Sequence, residues 1–537
     1  MPKGVAKPGA SKPHTSKSRV VTNVISNWGV YALAMGVNFF LSPYVVHRIG
    51  NAGYGVWTLI LSLTGYLGLM DLGVRGAVTR YVAKFHTEAA HERASNVASS
   101  AMLIFSTLGM VVILASLFLA AFVLERFQIP PNYLGAARIV VVIIGLNIAT
   151  SLVNGVYGGV LVGLQRFDLT NGIEIVNNVL RAAAIVVFLQ MGYGIVTLAL
   201  IQLGFTLARL AASVWLARRL YPELRINYGH ADGSGIRLIF SFSVFSFLLH
   251  VSGSLIYASD NVVIGAFLPV SAVTFYAIGG NLAEYTRTLV SGISQTMTPL
   301  ASSTDAKKDH KLLEKVVLFS SRAGTMAVLP IALTLTIRGS TFVSLWMGPQ
   351  YAELSGKVAS ILSLTLLFWA ANSVTGGSLL GVSKHRPLVP MLLGEGLCNL
   401  ALSIILVRRM GIVGVAWGTV IPSATSTLGF WPWYIRRALG IRPLTYIVSA
   451  WVRPVLGIVP FALGTYAIEH YWGAERLLVF FSQVALVLPL ALLGYWLTCL
   501  DEQQREEYSR GISKFLVRYL RAGEPQEGSA SQANRQE

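Results

Sequence analysis

Several charged side chains lie in stretches that are otherwise apolar, where an ionisable group is costly and normally faces a cavity or a partner. Glu174, Asn177, Asn178 and Arg181 fall at i, i+3, i+4 and i+7, so a helix carries all four on one face, with Arg181 near mid-run. Glu395, Asn399 and Ser403 form a second stripe. Asn281, Glu284, Thr288, Ser291 and Gln295 form a third, with Arg287 beside it. Asn23, Asn27, Tyr31, Asn38 and Ser42 lie close to one face of the first apolar run. Ser243, Ser246, His250 and Tyr257 mark another run, and Arg322 lies a turn or two inside a later one. Asp71 and Arg75 are four apart and can pair along a helix. The chemistry open to such groups is ionic. Guanidinium groups meet carboxylate or phosphate bidentately. Glu174, Asp71, Glu284, Glu395 and His250 can take up H⁺ or Na⁺, or balance the arginines. Each stripe also has a structural reading: an interhelical hydrogen-bond cluster, a capped and paired helix end, a packed histidine, or an arginine snorkelling to the interface.

No catalytic constellation accompanies them. The sequence has no nucleophile elbow, HExxH, Walker loop or CxxC pair. Its two cysteines, Cys398 and Cys499, lie far apart in apolar segments and give neither a disulfide framework nor a metal spacing. No resident cofactor is expected beyond a coupling H⁺ or Na⁺.

The elements that must position these groups are membrane spans. The 537 residues are 54% hydrophobic and 12% charged, against about 25% charged in soluble domains. Apolar runs of about 20 residues recur along most of the chain. We read 14: 22–46, 53–74, 97–123, 138–163, 172–190, 194–217, 237–259, 275–298, 315–337, 358–382, 388–407, 412–434, 446–468 and 477–499. The turns after even-numbered spans carry most of the basic residues, among them Arg80, Lys84, Arg166, Arg218, Arg219, Lys307, Lys308, Lys384, Arg436 and Arg437. That asymmetry places both termini in the cytoplasm. It also accounts for the net charge of +18 without nucleic acid.

The chain echoes itself. Val156–Gly163 (V-Y-G-G-V-L-V-G) returns at Val374–Gly381 (V-T-G-G-S-L-L-G), with Pro131 and Pro349 at the same offset upstream. A repeat on this scale implies two similar halves, which in transporters commonly enclose a substrate site. The expected organisation is a disordered basic tail over 1–19, a six-helix lobe over 20–220 and a linker over 221–236. A second six-helix lobe over 237–437 follows, then two further helices over 446–500. An amphipathic interfacial helix over 501–522 and a disordered tail over 523–537 close the chain.

Ser26–Arg80 resembles the first hairpin of the multidrug/oligosaccharidyl-lipid/polysaccharide (MOP) exporter superfamily. The resemblance rests on Arg48-Ile49-Gly50-Asn51-Ala52-Gly53-Tyr54-Gly55-Val56-Trp57 followed by Asp71-Leu72-Gly73. Asp260–Gly265 followed by Pro269–Tyr276 stands in the matching place of the second half, and Gly411–Ala416 resembles the family's start of span twelve. The chain looks most like the polysaccharide-export, O-antigen flippase-like branch. That resemblance implies an all-α polytopic protein of two pseudo-symmetric six-helix lobes plus two C-terminal helices. It implies a non-enzymatic flippase of the bacterial inner membrane that moves undecaprenyl-diphosphate-linked oligosaccharide outward by alternating access. Membrane lipids, a polysaccharide polymerase and a chain-length regulator are the partners it implies. For that cargo, Arg181, Arg287, Arg322 and Arg75 are the candidate diphosphate cations. Asn27, Tyr31, Asn38, Trp57, Asn177, Asn178, Asn281, Gln295, Trp369 and Asn399 are the candidate polar and aromatic contacts for sugars. A MATE-like cation-coupled drug antiporter and a lipid-linked peptidoglycan precursor flippase are the rival readings. A glycan polymerase or ligase is opposed by the short loops.

Overall fold

The computed structural model describes residues 17–502 and 504–506. The expected tail over 523–537 and nearly all of the amphipathic helix over 501–522 lie outside the described residues. So does most of the tail over 1–19, of which residues 17–19 are helical. Among the described residues all regular structure is helical.

Eleven helical segments of the described residues are long and apolar enough to cross a membrane. Two of them fold back on themselves. Lys17–Gly65 turns at Gly50, and Leu388–Thr425 turns at Gly411, each glycine at positive φ. The first therefore holds spans one and two, the second spans eleven and twelve. Span two continues through Tyr66–Asp71 and Val74–Thr87. Spans three to six are His91–Phe118, Pro131–Gly163, Phe167–Gln190 and Ile195–Leu220. Spans nine and ten are His310–Met347 and Leu354–Gly381; the last two end in Arg453–Tyr471 and Leu477–Thr498. Ser271–Ala306, span eight, is too polar to qualify by hydropathy, yet packs among the others as a full-length helix. With it the count is fourteen. One boundary differs from expectation. Span seven does not end at residue 259. It runs Gly233–Tyr257, breaks at Ala258, and continues as Ser259–Phe267. The polar run Ser259-Asp260-Asn261 reads like a turn, but it lies inside the span, where Asp260 is buried.

The internal repeat has a packing cause. A Cβ on Gly163 would lie 3.0 Å from the Thr79 carbonyl oxygen of span two; one on Gly381 would lie 2.3 Å from the Thr298 carbonyl oxygen of span eight. Small residues let these helices approach backbone to backbone. Span four thus packs on span two as span ten packs on span eight. Likewise span five packs on span one, and span eleven on span seven.

On the side of the odd-numbered turns the lobes are closed against each other. Tyr351 donates to Asn51 Oδ1 (2.6 Å), and Thr274 donates to the Asn51 carbonyl (2.7 Å). Phe39 stacks on Trp346 at 5.0 Å, and the indole N–H donates to the Phe39 carbonyl (2.9 Å). One apolar core runs across this closure, from Val56, Leu59 and Ile60 to Val263, Val270 and Tyr276. On the opposite side the inter-lobe linker is clipped to span three. Ser95, Ser99 and Ser100 accept from the backbone N–H groups of Arg225, Asn227 and Asp232 at 3.0–3.3 Å.

Spans thirteen and fourteen are held by a buried ionic cluster. Arg338 is 1% exposed. Its Nε donates to Glu469 Oε2 (2.6 Å) and its Nη2 to Gln483 Oε1 (2.7 Å), and it lies over the Phe480 ring. Thr341 donates to the other Glu469 oxygen. By sequence Arg338 reads as a turn residue. It is instead the tie between span nine and the last two spans. Removing one partner of a buried pair leaves a stranded charge and costs about 3–5 kcal/mol. Glu469→Ala should therefore lower the thermal midpoint of the purified protein sharply, and Glu469→Gln much less. Equal midpoints for Glu469→Ala and wild type would contradict this.

Candidate substrate cavity

Three cavities adjoin span seven in succession. The first, of about 410 Å³, is lined by Asp71, Arg75 and Gly76 of span two and by Phe247 and His250. The second, of about 390 Å³, lies between Leu249–Tyr257 and spans eight, ten, eleven and twelve, and includes Trp369, Asn372, Glu395 and Trp431. The third, of about 420 Å³, sits between the lobes and takes Ser62 from span two, Asn281, Glu284 and Arg287 from span eight, and Thr419 from span twelve. The second and third share Gly253 and Tyr257.

The third cavity is the most highly charged. Arg287 is 8% exposed, with its guanidinium 4.2 Å from the centre of the Tyr257 ring. It donates to Glu284 (3.3 Å) and Thr365 (3.1 Å), while its buried Nε has no protein acceptor. Glu284 is 59% exposed and so has room to swing away. Asp260 accepts from Tyr276 and, at 2.9 Å, from Thr419, both on Oδ2. Its Oδ1 is buried without a partner, as is Asn261 Oδ1, whose amide donates to Ser62 (3.0 Å). In the second cavity Asn372 donates to Thr427 (2.7 Å) and leaves its own oxygen unmatched; Ser426 donates to Glu395 (2.6 Å). Both hydroxyls sit in the π-turn Ser426–Phe430, an irregularity of the kind that often re-aims side chains at a site. Buried polar atoms normally find partners. A run of unmatched ones around a cavity is what a polar ligand or ordered water would satisfy.

Several residues singled out by sequence meet here: Asp71, Arg75 and His250 in the first cavity, Trp369 and Glu395 in the second, Arg287, Glu284 and Asn281 in the third. Others do not. Arg322 lies against spans thirteen and fourteen. Glu174 pairs across helices with Arg209 (2.6 Å), while Arg181, on the same helix face as Glu174, donates to Asn178 (3.1 Å). Those groups lie on spans five and six, where a separate cavity takes in Asn177 and Arg209. Trp57 packs half-buried against the apolar core. Asn399, 1% exposed, donates to the Ile256 carbonyl and ties span eleven to seven. Asn38 is exposed on span one. The side chains of Asn27, Tyr31 and Gln295 lie outside the described residues. Sequence reasoning marked Tyr257 but did not single out Tyr276, Asn372 or Thr419, and it put Asp260 and Asn261 between spans. The available signal was the rule that an ionisable group inside an apolar helix marks function; it failed because the boundary at residue 259 stops short of Asp260, in a span that runs on to Phe267.

The first residues of the chain through span eight, 20–305, match the polysaccharide biosynthesis protein family, which is more than half of the sequence. The chain belongs to that family. The superfamily resemblance and the all-helical, two-lobed fold are thereby borne out. A curated relative from Shigella flexneri, described as a putative O-antigen transporter, is 19% identical over 399 residues, 74% of this chain and 93% of the relative. An uncharacterized Bacillus subtilis membrane protein, EpsK, is 22% identical over 455 residues, covering 80% and 87%. Among solved structures, the lipid II flippase MurJ in an inward closed conformation superposes with a TM-score of 0.68 at 14% identity, covering 89% of this chain and 98% of MurJ. An inward-facing MATE-family multidrug transporter of the MOP superfamily gives 0.63 at 15% identity, covering 76% and 94%. At such identities the solved structures establish the fold alone. This family member is a multi-pass membrane transporter of the polysaccharide-export type.

Proposed function

We propose that the protein carries undecaprenyl-diphosphate-linked oligosaccharide from the cytoplasmic to the periplasmic leaflet of the bacterial inner membrane by alternating access, with both termini cytoplasmic. The observation that carries this reading is Arg287: a buried guanidinium at an inter-lobe cavity, held by a carboxylate that is itself exposed. An incoming diphosphate can take the place of Glu284 on Arg287 and use the unmatched Nε. Two fixed cation–anion contacts then replace water while the head group is out of solvent. Asn261, Asn281 and Tyr257 offer amides and an aromatic face to sugars. The lipid tail stays in the bilayer beside the lobes. No bond is made or broken. The ion-coupling role falls to Asp260 in place of Glu174, Asp71, Glu284, Glu395 or His250, because Asp260 is buried, accepts from Thr419 and has one oxygen without a partner. After the flip, a polymerase and a chain-length regulator on the outer face would take up the product.

A second reading has an observation in its favour. Together the three cavities hold Asp71, Asp260, Glu284 and Glu395 against Arg75 and Arg287, a surplus of carboxylates that suits a cationic drug. Reconstitution separates the two. In liposomes, the protein should move a fluorescently labelled lipid-linked oligosaccharide to the face where an impermeant reductant quenches it, and should not drive uptake of cationic dyes. Dye uptake without lipid movement would establish the antiporter. A peptidoglycan precursor shares the cargo chemistry and is distinguished by competition with the unlabelled lipid.

The Glu174–Arg209 pair ties span five to span six, with the two side chains 29% and 33% exposed. Exchanging the two charges by Glu174→Arg with Arg209→Glu should keep expression and transport near wild type. Loss of transport in the exchanged protein would give these groups a contact of their own.

A further inference from the structure

A cavity of about 730 Å³, larger than those along span seven, lies against spans nine, thirteen and fourteen. It shares no lining residue with the three cavities of the transport site. Its position is set by its members. Lys315 lies in the second turn of span nine; Leu444 opens span thirteen; Asp501 follows the end of span fourteen. All three mark the face of the even-numbered turns, so the cavity sits at one membrane surface. One wall is apolar, with Phe319 and Leu444 exposed to 42% and 73%. The other is cationic. Arg322 is 6% exposed, with Nη2 3.5 Å from Gln504 Oε1 and the guanidinium over the Phe319 ring. Arg453 pairs with Asp501 at 3.3 Å, and both are well exposed. Lys315 and Arg322 are seven apart on one helix and so share a face. Among the described lining residues Lys315, Arg322 and Arg453 are cationic and Asp501 is the carboxylate.

We infer that this cavity binds the phosphate of an anionic phospholipid from the surrounding leaflet, with its acyl chains along Phe319 and Leu444. An apolar wall beside a buried arginine at the interface is the arrangement expected for lipid head-group recognition. Arg322 offers a planar fork fixed by burial, and Lys315 and Arg453 close around it from spans nine and thirteen. A zwitterionic lipid carries the same phosphate, but its ammonium group would meet the same three cations, so anionic lipids are selected. The location also says what binding does. Spans thirteen and fourteen lie outside the two six-helix lobes. A lipid bridging Lys315 and Arg453 would tie their cytoplasmic ends to span nine, as Glu469 ties it to span thirteen nearer the other surface.

The test is native mass spectrometry of the full-length protein from nanodiscs of phosphatidylglycerol and phosphatidylcholine in a one-to-three ratio, beside nanodiscs doped with undecaprenyl diphosphate. Wild type should retain phosphatidylglycerol in preference to phosphatidylcholine. Lys315→Gln and Arg453→Gln should each reduce that preference about fivefold, the share of one interfacial cation. Both positions are accessible, so these variants do not depend on refolding around a missing buried arginine. Ser449→Trp, which fills the cavity without changing charge, should exclude the lipid. Retention of phosphatidylglycerol that is the same in all variants would overturn the assignment. Retention of undecaprenyl diphosphate in place of phosphatidylglycerol would also overturn it and make the cavity a substrate site.

Discussion

Replacing Gly55 with leucine should abolish export while leaving folded protein in the membrane. Gly55 sits in span two where the lobes close on the odd-turn side. A Cβ there would lie 2.1 Å from the Val270 carbonyl oxygen and 3.2 Å from Thr274 Oγ1. The first obstacle is backbone at the start of span eight, so no side-chain rotation relieves it. The lobes must part. Overpacking of this kind costs about 1–3 kcal/mol, which moves a two-state equilibrium about 5–150-fold. The closed arrangement would then be a minor species, and the transport cycle would lack one of its two ends. Gly55→Ala should show the same effect in weaker form. The check is labelling of a cysteine placed at Ser62, which lines the inter-lobe cavity. An impermeant maleimide added outside should reach it faster in Gly55→Leu than in wild type. Unchanged labelling with normal surface glycan would show that these contacts do not gate the cavity.

Replacing Arg287 should be as severe. Its side chain is buried and shared among Glu284, Thr365 and the face of Tyr257. Truncating one member of a buried, hydrogen-bonded charge pair costs about 2–5 kcal/mol or more, so Arg287→Gln should slow flipping at least about thirtyfold. Arg287→Lys should not rescue it, because an ammonium cannot reproduce the planar fork or the stacking. Glu284→Gln should behave differently. It removes the carboxylate that competes with diphosphate, so transport should persist and substrate binding should be as tight or tighter. The measurement is the flipping rate in liposomes for the three variants, with thermal midpoints as a fold control. Wild-type rates in Arg287→Lys would mean that Arg287 supplies charge alone. Loss of transport in Glu284→Gln would make Glu284 a direct participant.

The architecture was legible because two of its determinants are periodic. The glycines of Val156–Gly163 and Val374–Gly381 recur because the same helix approach is made once in each lobe. The number of spans follows from apolar length and from basic residues in alternate turns. Span eight shows the limit of hydropathy. The stripe of Asn281, Glu284 and Arg287 that makes it too polar to count as a membrane helix is the stripe that lines the cavity. Partnerships were less legible. Glu174 has Arg181 two turns along its own helix, yet pairs with Arg209 on the next, because the pairing depends on how two helices are rotated against each other. Arg338 and Glu469 are 131 residues apart and each reads as a residue near a turn; only the packing of span thirteen on span nine makes them a buried pair. Asp260 was hidden by its neighbours. Ser259 and Asn261 make it look like a turn, and only the break at Ala258 inside a longer span puts it at the cavity.

The most direct test of the flippase assignment is the lipid content of cells from which the protein has been deleted. The account predicts that undecaprenyl-diphosphate-linked repeat units accumulate on the cytoplasmic face and that surface glycan disappears, with the glycan identified by mass. Unchanged surface glycan, together with new sensitivity to cationic drugs, would contradict it: the fold would stand and the cargo would be a cation.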